Sequence, residues 1–481
     1  MTTLHTYIPQ DRLRALARGE TLPDRTAGSA LFADISGFTA LTEGLRESLG
    51  PRRGAEELTR HLDAVYTGLI AEIEKYGGSV IDFAGDSITC WFDETGTTSA
   101  RVVSCAFALQ EVMQAFKAIP LPNGTTTVLA LKVAVASGPA RRFVVGDPNI
   151  HYMDTLAGAT VTRTATAEHL LQRGDVLLDE ATVNTLEPSW TIREWRIDQD
   201  THERFAVVER GLRVVRAGSA NTDPQPSTLD PNVLRPYLHP AVYERESSQA
   251  GSFLTEFRPC VVLFVRFIGI DYDSEHAKQH LDSFIRSAQT IVERYEGVSL
   301  QITIGDKGSY AYINFGALST HEDDARRAVK VAIELRNIAR QFDFLQPLQI
   351  GITQGTMRVG AYGGATRRTY GALGDDVNLA ARLMMTATAG EILLSGQVQK
   401  ATVNDFVFEP RPPLPLKGKA EPLPVFAVTD ERKQRAIRLQ EPTYALPMVG
   451  RTHELQIINE QLELALNAKG QAWVSLDSWQ R

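Results

Sequence analysis

One order of elements occurs twice along this chain, and the repeat constrains its fold more than any other feature. An apolar strand at residues 30–34, inside LFADISGFTALTEGL, precedes apolar positions Leu58, Leu62, Val65, Leu69 and Ile73, which share one helical face and stop at Gly77-Gly78. Two β-rich runs around Gly85-Asp86, in SVIDFAGDSITCWF, then predict a hairpin. The same course begins again at CVVLFVRFIGI (260–270). A helical stripe of Leu281, Phe284, Ile285, Ala288, Ile291 and Val292 follows, then Tyr295-Glu296-Gly297 and the hairpin LQITIGDKGSYAYINF. Further on, LKVAVASG (131–138) matches LQIGITQG (348–355), GATVTRTATAEHLL matches GDDVNLAARLMMTA, and DVLLDE matches EILLSG. The offset drifts only from 232 residues (Asp34 to Arg266) to 216 (Asp175 to Glu391), which is duplication. Each unit mixes one sheet with helices, an α+β plan.

At 481 residues the chain has room for two or three domains. Linker composition at AGSANTDPQPSTLD (217–230), and a charged stretch at 430–444 running into Glu441-Pro442, divide it. The expected domains are 25–215 and 256–430, joined by a linker at 216–255 and followed by a segment at 440–481. A net charge of −8 argues against general nucleic-acid affinity and against polybasic membrane anchoring. Cys90, Cys105 and Cys260 are too few and too scattered for a disulfide framework or a cysteine metal site. No signal-peptide core opens the sequence and no apolar run reaches about 18 residues, so the expected location is cytoplasmic, away from membranes.

The differences between the copies carry the chemistry. Asp34 interrupts an apolar run, and a carboxylate there loses hydration unless it is paired, protonated or holding a metal. The second copy has Arg266 at that place, and Ala311 where the first has Asp86. Asp34 as a local cap and Asp86 as an ordinary turn residue are the plain readings. Two carboxylates on neighbouring strand ends, beside the backbone amides of Ser36-Gly37, instead suit a hard cation and a phosphate. In the later helix the asymmetry reverses: Asn378 and Arg382 lie four residues apart on one face, where the first copy has Thr162 and Thr166. Each copy thus holds half a site, and pseudo-twofold packing would complete one cleft and leave the other degenerate.

ADISGFTALTE, GGSVIDFAGDSITCWF, GDDVNLAARLM and PLKGKAEPLPVF closely resemble class III nucleotidyl cyclases. The unequal tandem, over roughly residues 25–430, resembles the soluble adenylyl cyclases with two catalytic domains in one chain. The resemblance implies two ferredoxin-like-core cyclase domains packed as a pseudo-symmetric heterodimer within a monomeric chain. It implies cyclisation of ATP to cyclic AMP and pyrophosphate with two Mg²⁺ (or Mn²⁺), held by Asp34 and Asp86 with the Ile35 carbonyl. Ser36, Gly37 and Phe38 would bind phosphate, as would Lys132 and Lys417; Asn378 would orient the ribose and Arg382 would stabilise charge at the α-phosphate. Lys307 matches the adenine-reading lysine, but Gly371 stands where its usual Asp or Thr partner belongs. A guanylyl or mixed-specificity cyclase is therefore the runner-up, and a nucleotide-sensing regulatory module is the alternative of another class. Arg266, Asp82, Thr162 and Thr166 would mark the degenerate site; Asp82 and Ala165 replace a bicarbonate-binding lysine and arginine, and an Asp repels that anion. LPMVGRTHELQIINEQLELAL resembles the opening of a signalling NTPase region, although no GxxxxGK[ST] follows it.

Overall fold

The computed structural model describes residues 3–94, 98–186, 190–209, 229–248, 256–305, 308–415, 422–432 and 452–466. After a short helix, α1 (Gln10–Ala17), the first half opens with β1 (Arg25–Ser36) and α2 (Phe38–Lys75). The predicted stripe lies on α2 with Leu62, Val65, Leu69 and Ile73 buried. The helix begins well ahead of that stripe and bends at Gly50, whose backbone (φ 79°, ψ 170°) leaves the helical region. The hairpin β2 (Ser79–Ala84) and β3 (Ser87–Asp93) leads to α3 (Thr98–Val112), a small hairpin of β4 (Ile119–Pro120) with β5 (Thr126–Thr127), and the long strand β6 (Ala130–Val145). Next come β7 (Met153–Ala157), α4 (Ala159–Leu170), β8 (Val176–Asp179), α5 (Glu180–Asn184), β9 (Thr191–Ile197) and β10 (Arg204–Glu209).

Within the expected linker, α6 (Pro231–Leu234) and α7 (Pro240–Ser247) form, and Leu234, Leu238 and Val242 pack with Leu4, Ile8 and Leu13 from the N-terminus. The second half then runs β11 (Glu256–Phe267), α8 (Ala277–Arg294), β12 (Val298–Gly305), β13 (Gly308–Phe315) and α9 (Asp324–Ala339). It continues with β14 (Gln349–Gly363), β15 (Arg368–Leu373), α10 (Asp375–Thr386), β16 (Ile392–Ser395), α11 (Gly396–Thr402), β17 (Phe406–Leu414) and β18 (Leu423–Glu431). The two sheets have one topology: β2-β3-β1-β6-β8-β10-β9 with β7 on β6, and β12-β13-β11-β14-β16-β18-β17 with β15 on β14. Both halves are α+β domains, as the repeat predicts. The apolar stripe of α8 is buried throughout, and truncating Leu281 to Ala would cost about 2–5 kcal/mol.

Each half lends an arm to the other's core. Phe143, Val145, Met153 and Ala157, from β6 and β7, belong to the cluster built on α8, α9 and β11. Tyr362 of β14 belongs in turn to the cluster built on α2, α3 and β1. The polar contacts repeat with pseudo-twofold symmetry. Gly146 N, at the tip of β6, donates to Asp282 Oδ1 of α8 at 2.8 Å, and Gly363 N, at the tip of β14, donates to Asp63 Oδ1 of α2 at 3.3 Å. Gln289 of α8 accepts from Asp147 N at 2.8 Å and donates to His151 O at 2.9 Å. A separate segment of the chain carries α12 (Thr452–Leu466), where Leu455, Ile457, Ile458, Leu462 and Leu464 are exposed. The remainder of the expected C-terminal region lies outside the described residues.

Candidate active site at the junction of the two halves

Asp34 sits near the end of β1, opposite Ser87 of β3 and Lys132 of β6. The β2–β3 turn is drawn against that strand end: Ile35 N donates to Asp86 O at 3.1 Å, and Gly85 adopts the positive φ (67°) the turn requires. Strand pairing alone therefore makes the two acid-bearing residues neighbours. Below them the buried Tyr66 of α2 donates its hydroxyl to Gly85 O at 2.8 Å. Burial first, and then the charges of Asp86 and Asp34 among others, push the Tyr66 phenol far above its ordinary range, so it stays a neutral donor. Lys132 Nζ lies 3.1 Å from Asp34 Oδ2, so the lysine shares the acid's site. Ser36 Oγ donates to Ala130 O at 3.1 Å. Gly37 has φ 97° and a Cβ there would fall 2.3 Å from Val128 O, so only glycine can lead from β1 into the N-terminus of α2 at Phe38.

The other candidate residues, Asn378 and Arg382, lie on α10. A Cβ at Gly351 would lie 2.2 Å from Ala380 O, and Thr353 Oγ1 donates to Asp376 O at 2.7 Å, so helix and strand β14 lie backbone to backbone. Leu379, Ala380, Leu383 and Met384 are buried by that contact, leaving Asn378 and Arg382 exposed on the opposite side. The first turn of this helix meets α2 across the junction, with Arg46 Nη1 3.4 Å from Asp375 Oδ2. Lys307 and Lys417 lie outside the described residues.

In the second copy, Arg266 pairs with Tyr310 and Gln349, as Asp34 pairs with Ser87 and Lys132. The register places Ser309 at the counterpart of Asp86, and Ala311 lies two residues further along, opposite Val265. The β12–β13 ladder runs two residue pairs beyond the point where β2–β3 ends, which displaces a residue-by-residue sequence match; the absence of a second carboxylate stands either way. Arg266 Nη1 donates to Gln349 Oε1 at 2.7 Å. Thr162 and Thr166 return their hydroxyls to their own helix, bonding Gly158 O and Thr162 O. Asp82 accepts from Thr303 Oγ1 of the other half at 2.8 Å, and Thr303 pairs with Tyr310, the strand partner of Arg266. Burial pushes its carboxyl up to about 6, against the lowering effect of Thr303 and Gln301. It borders a cavity of about 120 Å³ whose lining includes His151, His239 and Arg367. Burial lowers His151 to about 3 and His239 to about 4, so both imidazoles are neutral near pH 7.

Sequence reasoning missed Tyr66, Gln349 and Ser309. Tyr66 falls in an apolar helical stripe, and its only signal was a hydroxyl that needs a partner once buried.

Residues 25–221 and 262–429 match the family of adenylate and guanylate cyclase catalytic domains. The chain belongs to this family. Its cyclase halves are similar to adenylate cyclase type 10 from Rattus norvegicus, 23% identical over 444 residues covering 85% of this chain and 27% of that protein. The Homo sapiens protein of the same name is 23% identical over 430 residues, covering 83% and 26% respectively. The chain thus spans about a quarter of the length of these relatives. Among solved structures, a class III adenylyl cyclase-like ATP-binding protein from Pseudomonas aeruginosa shares the tandem fold, with a TM-score of 0.50 and 14% identity over 78% of this chain and 85% of that one. Among the described residues, no helix of this cyclase chain is long and apolar enough to cross a membrane.

Proposed function

We propose that the chain is an adenylyl cyclase with one composite active site, working in the cytoplasm as a monomer whose partner domain is built in. The observation that carries this reading is the asymmetry of the two strand ends: Asp34 beside Asp86 in one cleft, Arg266 bonded to Gln349 in the other. The donor set fits the implied metal. Among the described residues no group of three or more His, Cys, Asp or Glu side chains gathers to hold an ion. Two carboxylates suit Mg²⁺, or Mn²⁺, whose shell is completed by water and substrate phosphate. A pair of ions bound there would acidify the ribose 3′-hydroxyl and neutralise the triphosphate.

The chain's own residues supply the rest. Asp34, Asp86 and the Ile35 carbonyl fix the acid end of the site, while the amides from Ser36 through Phe38 face phosphate at a helix N-terminus. Lys132, now 3.1 Å from Asp34, would turn to phosphate oxygens if that acid held a cation. Asn378 holds the ribose so that its 3′-oxygen lies in line with the α-phosphorus. That oxygen attacks, its proton passes to solvent, the bond from the α-phosphorus to the β-phosphate oxygen breaks, and pyrophosphate leaves. Arg382 balances the charge gathering on the α-phosphate oxygens. By the family resemblance, Lys417 would serve the departing phosphates and Lys307 would donate to adenine N1. Gly371, in place of a side-chain acceptor, favours a second reading in which GTP is also cyclised. The deciding assay incubates purified chain with ATP or GTP and Mg²⁺ or Mn²⁺ and measures cyclic product. Cyclic AMP in excess of cyclic GMP is expected; no cyclic nucleotide with either metal would sink the enzyme reading.

A further inference from the structure

The space left open by Gly371 is bordered by a tyrosine from the neighbouring strand. In the β14–β15 pairing Gly360 faces Gly371 and Tyr362 faces Thr369, so the Tyr362 ring projects from the same side of the sheet as residue 371. A Cβ built on Gly371 would sit 3.3 Å from Tyr362 Cε1 and 3.7 Å from its hydroxyl oxygen. The ring thus lies where a longer side chain at 371 would have gone. It is held there by Phe83 of the first half, edge-on at 6.1 Å between centroids, and is only 5% exposed. Its neighbours use their hydroxyls locally: Tyr312 donates to Ala372 O at 3.3 Å, Tyr370 to Ala317 O at 3.3 Å and Tyr66 to Gly85 O at 2.8 Å. The Tyr362 hydroxyl makes no hydrogen bond among the described residues. Its oxygen is not among the fully buried unpaired polar atoms of the described residues, so the hydroxyl keeps an opening through which a ligand can reach it.

Its position indicates the kind of ligand. Phe83 precedes the acid turn by three residues, and β15 runs directly into α10 with Asn378. A nucleotide with its phosphates at Asp34 and Asp86 and its ribose at Asn378 has its base beside Gly371. Resting on the cyclase reading above, we propose that Tyr362 reads position 6 of the purine, its hydroxyl oxygen accepting a hydrogen bond from the exocyclic amine of adenine. Burial, followed by the charge of Asp82, raises the phenol far above its ordinary range, so it remains protonated and can also donate. A carboxylate at this place could only accept. The hydroxyl can turn and donate to the 6-oxo group of guanine, which makes the choice of base less strict than a carboxylate would make it.

The test is equilibrium binding of 3′-deoxyadenosine triphosphate, which lacks the attacking hydroxyl, against the same triphosphate of purine with hydrogen in place of the 6-amine. The unaltered chain is expected to bind the amine-bearing nucleotide about tenfold more tightly. Tyr362→Phe, which keeps the contact with Phe83, is expected to bind the two equally with an unchanged melting temperature. Gly371→Ala, which pushes the ring aside by a few tenths of an ångström, is expected to narrow the preference as well. A preference that survives in both variants, or one missing from the unaltered chain, overturns the role of Tyr362 while leaving the cyclase reading intact. Failure of the unaltered chain to bind either nucleotide overturns both.

Discussion

The two strand ends that face the junction are built alike and charged oppositely, and the contrast is the ground for proposing a metal at one of them. At the first, the carboxylate of Asp34 lies 3.1 Å from an ammonium on the adjacent strand. That partner sits on a flexible stem and can be exchanged for an incoming cation. At the second, the positive charge is Arg266 itself, bonded at 2.7 Å to Gln349. A guanidinium standing where the other copy has an acid offers only donors, so it supplies no ligand for a cation. On the one-site reading, the loss of one cleft is a reversal of charge at one position more than a loss of shape.

The hardest test of this contrast is Asp34→Ala against Arg266→Ala. Cyclic-product formation should fall by roughly a thousandfold or more in the first and stay within about threefold in the second. A folded Arg266→Ala chain as inactive as Asp34→Ala would end the one-site account. On the helices the same comparison sets Arg382→Ala against Thr166→Ala. Turnover should drop by about a hundredfold in the former with little change in the latter, whose hydroxyl only bonds its own helix.

A smaller effect is expected at Tyr66, whose place in α8 is taken by the apolar Ile285. Tyr66→Phe frees the Gly85 carbonyl, so half-saturation by Mn²⁺ should rise a few-fold and stability should fall by about 1 kcal/mol. Unchanged metal dependence would show that the turn holds Asp86 without help.

The least effect concerns the junction away from the site. Asp82 is raised in the folded chain to about 6 from an ordinary value of 3.8, so the folded state binds the proton more tightly and stability is lost as pH rises through that window. Asp82→Asn, which can still accept from Thr303, should gain about 1–2 kcal/mol at pH 7.5 and nothing below about pH 4, measured by urea unfolding. The buried imidazoles act in the other direction. Lowered to about 3 and 4, His151 and His239 weaken the fold as pH falls below about 6.5, as thermal melts between pH 7 and 4 would show.

Much of the architecture was legible because duplication let each half check the other. The apolar stripe of α8 and the turn at Gly85-Asp86 follow from residue spacing alone, and Asp34 and Asp86 meet because their strands pair. Periodicity names the face of a helix or strand but not what will cover it. The exchange of β6–β7 for β14–β15 was therefore invisible, although Phe143 and Tyr362 were plainly apolar positions. Ser309, not Ala311, stands at the counterpart of Asp86 for a related reason: two extra ladder pairs shift the residues of β13 against their twins, and only hydrogen bonding fixes the count. The rapprochement of Lys132 with Asp34 likewise needed the β1–β6 register, since the two are 98 positions apart.

The exchanged arms have a consequence for how this molecule could diverge. In a pair of identical chains, any substitution enters both clefts at once, so an arginine at the metal position would silence the whole assembly. Here the halves share one backbone and still complete each other's cores, with Gly146 seated on α8 and Gly363 on α2. Each half stays committed to its partner for stability while its cleft varies alone. On the proposed reading, covalent linkage turns a rotational symmetry axis into a division of labour: one side keeps the chemistry, and the other is free to lose it.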